Sequence, residues 1–213
     1  MGWPVMAILA ATASLLPVGV GIFRYKKLSL AMKVFLLFCA IIGVEVALEF
    51  ALSLRNINNI FLGNSSLVIE VVFIAVVYAL AINGKKVRAA IAALTVIFVC
   101  IWLPDKIFFE VPGHFNEEMA IVSRVFIIAL SIIALHTVAK RTTNALTDEP
   151  LFWLASANIL YAAGVIFVFG LGNHLIEMGN SYFLAAWNLN WSLDVLANIM
   201  FARGFLCKIM RQI

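Results

Sequence analysis

Seven runs of roughly twenty apolar residues fill this chain almost end to end, and no other feature restricts its fold as tightly. A bilayer core of about 30 Å is crossed by about 20 helical residues at 1.5 Å rise each. The runs predict helices over Val5 to Phe23, Leu28 to Leu54, Ser65 to Ile82, Val87 to Leu103, Glu118 to Ala139, Pro150 to Leu171 and Tyr182 to Cys207. No stretch remains to build a soluble domain, so residues 1–213 read as one all-α, polytopic, seven-helix membrane unit. Charged residues make up 12% of the chain, about half the share of a soluble protein. Pro4, Pro104 and Pro150 fall at helix ends, where proline is tolerated, whereas Pro17 predicts a kink or packed irregularity inside the first helix.

Orientation follows from the loops. Arg24, Lys26, Lys27 and Lys33, then Lys85, Lys86 and Arg88, then Lys140 and Arg141, and finally Lys208 and Arg211 all fall on one side of seven helices. The opposite loops carry Arg55 and Lys106 beside Asp105, Glu110, Glu117, Glu118 and Glu177. The side rich in Lys and Arg is cytoplasmic, which predicts an N-terminus outside and a C-terminus inside. Trp3, Trp102, Tyr182 and Trp187 near the outer boundaries fit an aromatic belt. The net charge of +4 follows from this loop bias and is no sign of nucleic-acid binding. The first run lacks a basic leader and is followed by Arg24, Lys26 and Lys27, the order expected of a retained helix rather than a signal peptide. Cytoplasmic loops are short, so any cytoplasmic output requires a separate signalling partner. Outside, the segment from Pro104 to Glu117 has a turn signal at Pro112-Gly113, and its Ile107, Phe108, Phe109, Val111 and Phe115 are expected to form a lid; the loop from Gly172 to Ser181, with His174 and Glu177, is expected to help cover the same mouth.

Against this apolar background four acidic residues stand out: Glu45, Glu49, Glu70 and Asp194. A charge near the bilayer centre costs at least a few kcal/mol, so it is paired, protonated or faces a wet cavity. Counted from the predicted outer helix ends, Glu49 and Glu70 lie about 8 Å deep, Arg124 about 9 Å, Asn190 about 12 Å, Glu45 about 14 Å and Asp194 about 18 Å. Arg124 is the one intramembrane cation at such depth. Glu45 and Glu49 share a helix face and repel, so in a dry core a proton, Arg124, a bound cation or water must compensate. Asn190, Asp194 and Asn198 recur every four residues and form a polar stripe that must face the bundle interior. Asn158 and Tyr161 share a face of the sixth helix as secondary polar positions. Interhelical hydrogen bonding, at about 0.6 to 2 kcal/mol each, is the alternative role for every one of these groups and the preferred one for Asn158 and Tyr161, while Ser123, Ser131 and Ser156, like Gly164 and Gly170, read as packing residues.

Other chemistries lack their motifs. Cys39, Cys100 and Cys207 form no close pair and read as small apolar fillers. His114, His136 and His174 show no zinc spacing, no Gly-x-Ser-x-Gly elbow is present, and no cofactor is expected, while metal binding is left open. A retinal Schiff base needs a lysine midway along the last helix, where Asp194 stands. The first and last three helices share no motif of the kind an inverted-repeat carrier shows.

The stretch from Leu16-Pro17 to Arg24-Tyr25-Lys26-Lys27-Leu28-Ser29, then Asn56 to Asn59, Ile69-Glu70, Phe152-Trp153 and the Asn-rich last helix ending near Cys207 together resemble a family of small bacterial seven-helix inner-membrane proteins of unassigned function. The resemblance implies a bacterial inner membrane and a stand-alone unit, and it transfers no activity.

The leading expectation is a receptor-like or sensory protein that binds a small ligand or cation from outside, through Glu45, Glu49, Glu70, Arg124, Asn190 and Asp194. A proton- or cation-coupled carrier, with a second access route along Asn158 and Asn198, is the alternative. A membrane-embedded hydrolase using two carboxylates as acid and base is the third.

Overall fold

The computed structural model describes residues 4–55, 57–111, 113–142 and 145–207. Trp3 of the expected aromatic belt, Asn56, Pro112 of the turn signal, and Lys208 and Arg211 of the basic tail lie outside the described residues.

The described chain is all-helical, with α1 (Val5–Ala13), α2 (Leu15–Arg24), α3 (Leu30–Leu54), α4 (Ile60–Ala81), α5 (Lys85–Pro104), α6 (Glu117–Arg141), α7 (Pro150–Gly170), α8 (Gly172–Met178) and α9 (Asn180–Leu206). Six spans, Val5–Lys27, Leu30–Leu54, Ile60–Ala81, Lys85–Phe109, Glu117–Arg141 and Pro150–Gly170, are long and apolar enough to cross a membrane, which makes this a multi-pass membrane protein by length and composition. At 27 residues α9 is longer than any of the other helices, but its polar stripe keeps it out of that apolar set. Its outward face carries Leu189, Leu196, Ile199 and Leu206, each about half exposed.

Local chemistry sets the boundaries. Pro17 has no N–H to donate to the carbonyl of Ala13, and the first helix breaks one residue later, at Ser14, into α1 and α2. Ser29 caps α3 by accepting from the Met32 N–H at 3.3 Å. Helix α4 begins five residues before the Ser65 expected from sequence. The Asn58 side chain accepts from the Ile60 N–H at 2.9 Å, and Asn59 Nδ2 donates to the Glu49 carbonyl at 3.0 Å, clamping the end of α3 to the start of α4. After Pro104 the chain runs on in a π-helical turn, Asp105–Phe109, closed by the Glu110 N–H on the Asp105 carbonyl at 2.9 Å.

Helices α1 and α2 together, α3, α4, α6, α7 and α9 form a ring in that order, because α9 packs on α7 and on both halves of the broken first helix. Helix α5 lies outside the ring, against α4 and α6. At the end of the bundle that carries the basic loops, arginines occupy the terminal carbonyls of α4: Arg88 Nε donates to Ile82 O at 2.9 Å and Arg141 Nη1 to Ala81 O at 3.0 Å. The ring is filled there by Phe35, Phe201 and Phe205, with centroids 5.0 and 5.7 Å from that of Phe35, and by fully buried Leu154, Val138 and Ile82.

Candidate functional site

The opposite half of the ring is hollow. A cavity of about 320 Å³ lies there, near the lower limit of the roughly 300–1,000 Å³ usual for small-molecule sites. Helix α3 brings Glu45 and Glu49 to it, α4 brings Glu70, α6 Arg124, α7 Asn158 and Tyr161, and α9 Asn190, Asp194 and Asn198. All nine residues singled out in the sequence therefore border one space, and among the described residues Arg124 is the one cation that does so.

Arg124 and Glu70 form an ion pair across α6 and α4, Nη1 to Oε2 at 2.5 Å, with side-chain exposures of 4% and 18%. The guanidinium carbon also lies 5.3 Å from the Tyr161 ring centre and 5.2 Å from that of Phe169, so two ring faces add cation–π attraction to the carboxylate. Arg124 Nε is buried without a hydrogen-bond partner. One carboxylate is thus answered. Among the described residues, no Lys or Arg stands within ion-pair distance of Glu45, Glu49 or Asp194, and a low-dielectric space magnifies their repulsion.

The uncharged polar groups divide into two sets. Tyr161 Oη donates to Asn190 Oδ1 at 3.1 Å, and Asn198 Nδ2 donates to both Asp194 Oδ1 at 3.0 Å and Asp194 O at 2.9 Å. The first of these bonds ties α7 to α9 beside the cavity, and the other two stay within α9. Asn158 Nδ2 instead donates to Tyr78 Oη at 2.9 Å, and Tyr78 Oη meets Ser131 Oγ at 2.9 Å. That buried trio joins α7, α4 and α6 at the cavity floor, so Asn158 and Ser131 fasten helices together. Ser123 is buried and donates to the Ala120 carbonyl of its own helix at 2.8 Å. Gly164 lets α7 approach α9 closely: a Cβ there would come within 2.5 Å of Leu193 Cδ1.

The expected lid needs correcting. Ile107, Phe108, Phe109 and Val111 are 58 to 75% exposed and do not line the cavity; the first three lie in the π turn that continues α5. Phe115 alone of that set lines the cavity, with its ring 5.4 Å from Phe169. His174 and Glu177 are exposed on α8 and are not among the residues that line the cavity. The covering is aromatic instead: Phe115, Phe169 and Trp187 line the cavity, with Phe183 stacked on Trp187 at 4.3 Å.

Several residues of the site escaped the sequence reading. Ser66 lines the cavity one turn before Glu70, a spacing that puts both on one face of α4. It lay within the helix expected from Ser65, but a single serine in an apolar run carried no signal of its own. Trp191 borders the same space beside Asn190. Asn64, 2% exposed, holds the outer segment in place: its amide donates to His114 O at 3.0 Å and to Glu110 Oε1 at 3.3 Å, and its oxygen accepts from the Asn116 N–H at 3.0 Å. Among the described residues, no group of three or more His, Cys, Asp or Glu is placed to hold a metal ion.

Compared with protein-family models, with curated proteins and with solved structures, the chain matches none.

Proposed function

We propose that this chain is a seven-span protein of the bacterial inner membrane, N-terminus outside, that binds a small cationic ligand in the acidic half of its bundle and acts as a receptor. Helix α9 is the seventh span, with its leucine face toward lipid and its Asn and Asp stripe inward. Ligand charge offsets the carboxylates that Arg124 leaves unanswered, and aromatic side chains complement the ligand's apolar surface. The reading rests on one observation, the surplus of carboxylates around a cavity that reaches inward as far as Phe38, Asn198 and Phe201, beyond which the basic end is packed with phenylalanine and aliphatic side chains. A site closed toward the basic loops suits a receptor that passes small helix shifts to a separate cytoplasmic partner.

The test uses the full chain in nanodiscs, with tetramethylammonium as the probe and tryptophan fluorescence as the readout, since Trp187 and Trp191 border the site. Saturable quenching is expected, weakened at least about tenfold by Glu49→Gln combined with Asp194→Asn, a loss of about 1.4 kcal/mol. Absence of saturable quenching in the wild-type chain rejects the reading. Reporter fusions at the loops around residues 84 and 110 test the orientation, with the first expected inside and the second outside.

A carrier remains the second reading, favoured by the Asn158–Tyr78–Ser131 trio, which extends polar groups from the cavity floor into the ring. It requires uptake into proteoliposomes that collapses with the proton gradient.

A further inference from the structure

The wall of the cavity is not equally firm all round. Helix α3 has buried residues from Ala31 to Cys39 and none from Ala40 to Leu54 among those described, yet that outer half contributes Ile42, Glu45, Val46 and Glu49 to the cavity. On the facing side, α1 contributes Ala7, Ala10 and Ala11. Below the break at Ser14, α2 packs on both α3 and α9, whereas above it α1 rests on α9 and barely touches α3. The broken first helix and α3 therefore part company at the level of the carboxylates. The outer parts of both helices also carry exposed Ile8, Leu9, Val44 and Leu48, side chains suited to hydrocarbon rather than water. Deeper in, Arg124 lines the same cavity with 4% of its side chain exposed and is committed to Glu70, so the site retains surplus negative charge.

We propose that the ligand is a single-chain amphiphilic ammonium compound that enters sideways from the bilayer through the α1–α3 seam. The ammonium lies among Glu45, Glu49 and Asp194, and the alkyl chain leaves over Ala7, Ala10, Ile42 and Val46 into lipid. Small residues on α1 leave room for the chain, and α3, unburied over its outer half, can yield without breaking a packed core. Anionic and zwitterionic lipids are disfavoured, because their phosphate would face an excess of carboxylate. The proposal rests on the cavity reading above and adds to it both the apolar tail and the lateral path.

The experiment compares dodecyltrimethylammonium, below its micellar concentration, with tetramethylammonium and with dodecyl sulfate. It uses the full chain in nanodiscs, with empty nanodiscs subtracted and tryptophan fluorescence as the readout. Dodecyltrimethylammonium is expected to bind at least about tenfold more tightly than tetramethylammonium, since methylenes removed from water add to binding, and dodecyl sulfate is expected not to compete. Ala10→Phe and, from the other side of the seam, Val46→Trp are each expected to bring the ratio of the two ammonium affinities to within about twofold of unity. Two variants on separate helices keep the test open should one fail to fold. Equal affinities in the wild-type chain, or a ratio unmoved by both variants, overturn the lateral path while leaving the cavity reading intact. No saturable binding of tetramethylammonium overturns the cavity reading itself, and displacement of the ammonium probe by dodecyl sulfate overturns the charge selection.

Discussion

The two halves of the ring are built from the same helices and differ in what those helices place inside. At the basic end, α3, α7 and α9 meet through Phe35, Leu154, Phe201 and Phe205, and the polar groups are arginines that end helices at their carbonyls. At the acidic end the same three helices present Glu45, Tyr161, Asn190 and Asp194 around open space. In lipid the tails are as apolar as leucine, so a packed interior is held by contact and shape rather than by exclusion of water. The packed half therefore fixes the helices relative to one another. The hollow half inherits that geometry and can tolerate charges that would be ruinous in a bundle packed throughout.

If that division holds, substitutions should cost most where a charge would be orphaned. Arg124→Ala leaves Glu70 unpaired beside further carboxylates. It is expected to destabilise the protein by about 3–5 kcal/mol, measured by denaturant titration in detergent, with Arg124→Met plus Glu70→Gln recovering much of the loss. Recovery absent from the double variant would mean that the pair is not the acidic half's anchor. Next come the fillers. Leu154→Ala in the packed half should cost about 2 kcal/mol or more, while Ile42→Ala at the cavity wall, with empty space already beside it, should cost well under half as much. Equal costs would erase the contrast between the halves.

Polar links sharpen it further. Tyr78→Phe strips Asn158 and Ser131 of their partner in a fully buried position and is expected to cost about 1 kcal/mol. Tyr161→Phe, beside the cavity, should cost less, because water can replace the lost bond to Asn190. The smallest effect concerns helix caps. Ser29→Ala at the basic end removes one cap bond and should cost about 0.5–1 kcal/mol. Asn116→Ala should cost more, since that side chain both caps α6 at Met119 and donates to Asp105 at 2.5 Å. Hydrogen exchange across residues 105–116 would register the second loss and not the first.

The fold was largely readable because helix content in this chain is dictated by run length. Boundaries slipped where side chains rather than hydropathy set them: the Asn58 and Asn59 bonds start α4 early, and the π turn after Pro104 carries α5 onward. Ser66 was missed although the expected helix contained it, because one serine in an apolar run reads as a packing residue, and Ile107, Phe108, Phe109 and Val111 stand exposed and outside the cavity lining. The spacing of Asn190, Asp194 and Asn198 was a reliable guide because a four-residue repeat fixes a helix face whatever the neighbours do.

From the residues alone came the apolar spans, the separation of basic from acidic loops, and the intramembrane carboxylates that outnumber their cation. Each depends on distances along the chain, which helix geometry makes rigid. Which carboxylate meets Arg124, which half of the ring is hollow, and where α1 leaves α3 depended on the packing of helices far apart in sequence. Those choices rest on the shapes of facing side chains, Phe35 against Phe201 or Gly164 against Leu193, and shape complementarity between distant segments has no counterpart in the linear order of residues.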